Sequence, residues 1–162
     1  MKSNRTRVLF VCMGNICRSP TVEAVFRRKV EQAGLESVVD CDSAGTHDYH
    51  IGEPPDERAQ RSALRRGYDM SGLRGRQVGC EDFEHFDYVL AMDRENLSLL
   101  ERLCPRQHRG KLALFCDFHQ SHAGKEVPDP YFGGEDGFEY VLDLAEEVAQ
   151  SLIDRMRREM PA

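Results

Sequence analysis

Val8-Leu9-Phe10-Val11 runs without a polar break and stops at Cys12. From Ser19 onward the period becomes helical: Val22, Val25, Phe26, Val30 and Ala33 fall on one face, and Gly34 stands where a helix puts its left-handed C′ residue. Pro20 suits the first helical position, where its missing N–H costs nothing. A short buried strand, Arg7 to Val11, therefore passes into a helix through a loop over residues 12 to 18. A strand apolar on both faces needs cover on both sides, the habit of parallel sheets flanked by helices.

The rest of the chain repeats the alternation. Ser37 to Asp42 reads as a second strand, and about Asp56 to Arg66 as a helix that Gly67 stops. Tyr88 to Met92 reads as a third strand. Asp93 then caps a helix reaching about Leu103, ahead of Pro105. Leu112 to Phe115 reads as a fourth strand, and Phe138, Val141, Leu142, Ala145, Val148, Leu152 and Ile153 mark a long amphipathic terminal helix. The pattern predicts an α/β fold, a parallel sheet covered on both faces, as a single domain over residues 1–162.

Charge and hydropathy exclude several classes. With 28 acidic against 22 basic side chains, a net charge of -6, the surface has the wrong sign for gripping a phosphate backbone, and no nucleic-acid partner is expected. No apolar run approaches the ~20 residues of a membrane span, and Val8 to Met13 is too short for a secretory signal. The expectation is no membrane association and a cytoplasmic location. The six cysteines then read as thiols rather than a disulfide framework.

The chemistry concentrates in Cys12-Met13-Gly14-Asn15-Ile16-Cys17-Arg18-Ser19, at the carboxyl end of the first strand where open α/β sheets place their ligands. A helix start offers unpaired N–H groups and a positive dipole end, so such a loop wraps a tetrahedral dianion with its backbone. Gly14 removes side-chain bulk, Asn15 tolerates positive φ, and Arg18 adds planar donors suited to phosphate oxygens. Phosphate binding alone has no need of Cys12. The amides and the cation that hold a dianion also favour a thiolate, which is placed to attack phosphorus, with the Ser19 hydroxyl to assist its departure. Aromatic walls around a deep anion site select a phenyl phosphate over shorter phosphoserine, and Tyr131 and Phe132 are candidates for them.

This segment resembles the signature loop of the low-molecular-weight protein tyrosine phosphatases, and the chain is similar to that family in length and element order. The resemblance implies three α/β/α layers with a four-stranded parallel sheet in the order 2-1-3-4, and hydrolysis of phosphotyrosine through a cysteinyl-phosphate intermediate. Cys12 would be the nucleophile and Arg18 the phosphate clamp. In Val127-Pro128-Asp129-Pro130-Tyr131-Phe132, Asp129 matches the aspartate that protonates the leaving phenolate and later activates water. Asn15, Ser19 and Ser43 would hold the loop in shape, with Met13, Gly14, Ile16 and Cys17 completing the cradle. Tyr49 falls at an aromatic rim position, and Ile16, where related arginine phosphatases carry threonine, favours tyrosine. No cofactor or metal is implied. The implied partner is a phosphotyrosine protein, a tyrosine kinase among the candidates, acted on by a monomer or weak homodimer.

Other features have plainer readings. Cys17 is a candidate for a reversible disulfide with Cys12. His47/His50 and His119/His122 have no evident carboxylate partner that would make a zinc site. Arg58, Arg61, Arg65, Arg66, Arg74 and Arg76 read first as a solvated face, and otherwise as internal ion pairs or an attractor of acidic phosphopeptides. Leu73 stands near the place of a histidine that supports the loop asparagine in many members of the family. Two rival functions are a thioredoxin-coupled arsenate reductase, for which Cys80 and Cys104 are poorly spaced, and a non-catalytic phosphate-binding module.

Overall fold

The structure, a computed structural model, describes residues 5–131 and 133–160. Strand β1 (Thr6–Cys12) lies inside a parallel sheet with β2 (Val39–Gly45), β3 (Tyr88–Ala91) and β4 (Leu112–Leu114), in the order β2-β1-β3-β4. Its side chains alternate between two cores. Val8, Phe10 and Cys12 pack with α1 (Arg18–Gln32), α2 (Glu57–Arg65) and α5 (Glu135–Glu159), while Leu9 and Val11 pack with α3 (Cys80–His85) and α4 (Arg94–Leu103). Phe10 anchors the larger core, meeting Phe26 and Phe115 edge-on at centroid distances of 5.3 and 5.6 Å. Truncating such a ring to alanine costs about 3–5 kcal/mol.

Several boundaries differ from the sequence reading. β2 begins later and runs through Gly45, because Asp42 and Ser43 continue the pairing with β1: their side chains find partners in Arg76 and Glu23. Pro20 is the third helical residue of α1, not the first, still among the positions whose N–H has no partner within the helix. Helix α3 was not foreseen, since six residues with one buried aromatic, Phe83, show no measurable period. Gly34 and Gly67, at φ +72 and +89, end α1 and α2 as expected.

The arginine-rich stretch is a solvated face only in part: Arg61, Arg65 and Arg74 are exposed, whereas Arg58, Arg66 and Arg76 are half-buried. Arg66 meets Glu139 at 3.0 Å, Asp143 at 2.9 Å and Glu146, pinning α2 to α5, and Arg76 meets Asp82 at 3.0 Å and Asp42 at 3.1 Å. At the carboxyl end of the sheet, Met92 N–H donates to Val11 O at 3.0 Å and Val127 N–H donates to Met92 O at 2.8 Å. These two bonds carry a segment remote in sequence to the end of β1.

Candidate active site

The loop from Cys12 to Arg18 is shaped by what surrounds it. Thr46 N–H donates to Cys12 O at 2.9 Å and His47 N–H to Met13 O at 3.1 Å. The two segments run so close that a Cβ on Gly45 would lie 2.7 Å from Met13 O. Asn15 is the one non-glycine residue with positive φ among the described residues, at 58. Its N–H points back at Cys12 Sγ, 3.3 Å away.

Asn15 holds that conformation through its side chain. Oδ1 accepts from Arg76 N–H at 3.0 Å, so Nδ2 is the donor to Ser19 Oγ at 2.8 Å and Ser43 Oγ at 2.9 Å. Ser43 in turn donates to Glu23 Oε1 at 2.7 Å. Ser19 Oγ already accepts from Asn15, which leaves its own proton for Cys12 Sγ at 3.0 Å. The chain of donors thus runs toward the sulfur, the polarity that stabilises a thiolate.

Arg18 is buried beside this sulfur. Its Nη1 donates to Asp93 Oδ2 at 2.6 Å and to Val127 O at 3.1 Å, and its Nη2 lies 3.8 Å from Asp129 Oδ2. Burial opposes the guanidinium charge, but Cys12, Asp93 and Asp129 outweigh it and hold the proton more firmly than usual. Cys17 behaves in the opposite way: burial, reinforced by Asp56 and Cys12, pushes its thiol up, and both thiols are free.

A cavity of about 210 Å³ opens above the sulfur. Its floor is Cys12, Met13, Gly14, Ile16, Cys17 and Arg18, and Tyr49, Asp129 and Tyr131 stand around it. Asn15, Ser19 and Ser43 lie beneath as buried supports. The structure therefore brings these predicted site residues together, and Phe132 lies outside the described residues.

The pattern that defines the low molecular weight phosphotyrosine protein phosphatases fits residues 7–162. The chain is 47% identical to the low molecular weight phosphotyrosine protein phosphatase of Schizosaccharomyces pombe, over 82% of this chain and 85% of that one. The chain belongs to the low-molecular-weight protein-tyrosine phosphatases. Its structure matches that of a protein tyrosine phosphatase from Entamoeba histolytica with a TM-score of 0.91 at 41% identity, covering 95% and 98% of the two chains. YfkJ from Bacillus subtilis matches with a TM-score of 0.91 at 36% identity, over 99% and 100%.

Five residues of this phosphatase have roles that the sequence does not reveal. Glu23 is 2% exposed and holds Ser43; burial, opposed by Ser43 and Arg27, raises its carboxyl above the ordinary value. A signal existed, because Glu23 sits three residues before Phe26 and seven before Val30, on the apolar face of α1. Asp93 was seen as a cap and does accept Asn96 N–H at 2.8 Å, but its second oxygen takes Arg18. His50 lines the cavity and pairs with Glu53, while His47 stacks on Tyr49 at 5.1 Å. Arg76 supports Asn15 through its backbone, and Leu73 packs against the larger core in the neighbourhood where a supporting histidine was expected.

The histidine pair His119/His122 does meet a carboxylate. Glu147 Oε2 lies 2.5 Å from His122 Nε2, and the three residues offer ligand atoms within 4.8 Å of one another. None of the three lines the phosphatase cavity.

Proposed function

We propose that this protein-tyrosine phosphatase works through Cys12 as nucleophile, Arg18 as phosphate clamp and Asp129 as general acid and base. The observation that carries the reading is the convergence on one cavity of Cys12, Arg18 and Asp129, with two donors, Asn15 N–H and Ser19 O–H, directed at the Cys12 sulfur. A phosphotyrosine dianion seats in the loop, its equatorial oxygens on backbone amides and the Arg18 guanidinium. The thiolate attacks phosphorus, and the P–O bond to the ring breaks. The leaving oxygen takes its proton from Asp129, help of a kind worth about 10²–10⁴-fold for a poor leaving group. Water then gives a proton back to Asp129 as it attacks phosphorus. The P–S bond breaks, and the sulfur leaves as a thiolate accepting the Ser19 hydrogen bond.

Tyr49 and Tyr131 favour an aromatic side chain reaching down between them, so the substrate is phosphotyrosine displayed on a protein, a tyrosine kinase being the candidate we favour. A thiolate nucleophile needs a reducing compartment, and we place the enzyme in the cytoplasm. Rapid quenching with a phosphotyrosine peptide should trap a phosphoryl group on Cys12. Cys12→Ser should abolish turnover while phosphate or vanadate still binds, and retained hydrolysis would refute the assignment.

A further inference from the structure

Helix α2 starts between the two halves of the site. Asp56, its capping residue, donates its backbone N–H to Ile16 O at 2.8 Å, joining the start of the helix to the phosphate loop. Its carboxylate accepts from Arg58 Nε at 3.3 Å and Nη2 at 3.2 Å. Arg58 then reaches across to the segment that carries Asp129. Nη2 donates to Tyr131 O at 2.8 Å and Nη1 to Gly133 O at 3.5 Å. Its guanidinium lies over the rings of Tyr131 and Phe138, 5.6 and 4.9 Å from their centroids.

The acid segment needs such a tether for a simple reason. Pro128 and Pro130 have no N–H to give, so the backbone around Asp129 lacks two of the donors that would fasten an ordinary loop. The bonds from Tyr131 N–H to Asp129 Oδ1 at 3.0 Å and from Gly133 N–H to Pro130 O at 3.1 Å stay within the segment and do not tie it to the body. Upstream, Val127 is anchored to Met92 and to Arg18. Downstream, Arg58 provides two bonds from outside.

We propose that Arg58, oriented by Asp56, is a positioning residue that sets the distance between the Asp129 carboxyl and the phosphate loop. One residue pair spans both halves: the Asp56 backbone holds the loop of the nucleophile, and the Arg58 side chain holds the loop of the acid. This inference rests on the reading of Asp129 as proton donor. A displacement of the acid by about 1 Å is enough to cost on the order of 10²-fold.

The test is a series of aryl phosphates with leaving groups of increasing basicity, followed by kcat/KM, which reports the step in which the leaving group departs. Arg58→Met keeps an apolar stem over the rings and removes the donors. It should lower kcat/KM at least about 10-fold for basic leaving groups and little for acidic ones, with inhibition by vanadate unchanged. Placed on Asp129→Asn, Arg58→Met should cause no further loss. Arg58→Lys, which keeps the charge but cannot serve two carbonyls in one plane, should fall between Arg58→Met and the native protein. Should Arg58→Met not fold, Asp56→Asn, which preserves a helix cap and removes the ion pair, carries the same leaving-group prediction. A loss equal across all leaving groups, or one that adds in full to Asp129→Asn, overturns the proposal. A flat series for Asp129→Asn alone would remove the role of Asp129 itself, and with it the purpose given to Arg58.

Discussion

The floor and the rim of the cavity are built by opposite rules. Arg18 in the floor and Asn15, Ser19 and Ser43 beneath it are all buried and hydrogen-bonded, and behind them stands the buried carboxylate of Glu23. At the rim, Tyr49 is 65% and Tyr131 39% exposed, and the Asp129 side chain keeps 34% of its surface in solvent. The floor must present fixed dipoles to a dianion in a water-poor site, where preorganised donors are worth most and every unpaired polar group costs about 1–3 kcal/mol. The rim must admit a side chain that belongs to another protein. Rigidity is concentrated where charge develops, and access where the substrate enters.

Three measurements sharpen or break that contrast. The largest effect should come from Asn15→Ala. The change leaves two buried hydroxyls and the half-buried Arg76 N–H short of a bond and imposes positive φ on alanine, together about 2–4 kcal/mol of folding stability, with a loss of kcat. Asn15→Gly, which accepts the φ, should recover only the strain. If chemical denaturation shows Asn15→Ala as stable as the native protein, the floor is not held as described.

Tyr49→Ala should do the reverse. Its loss should raise KM for phosphotyrosine peptides about 5-fold, on the order of 1 kcal/mol, and leave unfolding and kcat almost unchanged. A fall in kcat of the same size would make Tyr49 part of the machinery rather than its entrance.

The smallest effect concerns pH. Because Glu23 has a folded pKa above its ordinary 4.5, the native state holds its proton longer than the unfolded chain. Its contribution to stability is full below that ordinary value and is lost as pH rises through the raised one. Glu23→Gln has no such dependence. Relative to the native protein, the variant should therefore gain in urea midpoint as pH climbs from 4.5 toward neutrality. A relative decline over that range would show that Glu23 is held ionised by Arg27 more strongly than burial opposes it.

Much of this site could be read before the chain was folded because its core is local. Cys12 and Arg18 are separated by one loop, and a strand end followed by a helix start leaves that loop little freedom. The positive φ of Asn15, the stops at Gly34 and Gly67 and the cap at Asp93 follow from the same short-range rules. The strand order was legible only through family likeness, since periodicity reports which face a residue takes and not which strand lies beside it. Asp93 was visible as a cap and not as the partner of Arg18, because a capping residue has two oxygens and sequence accounts for one.

The order of residues along the chain alone determined the anion-cupping loop and the thiol inside it, both set by backbone conformations over fewer than ten residues. Tertiary structure decided what gathers around that loop: Asp129 through the hydrogen bonds linking Val11, Met92 and Val127, Glu23 through burial of one helix face, and Arg58 through the approach of α2 to the segment that carries Asp129. Those partners are 11 to 117 positions from Cys12. At such separations the pairing is chosen by how the sheet and its two cores pack, and local propensity carries no information about it.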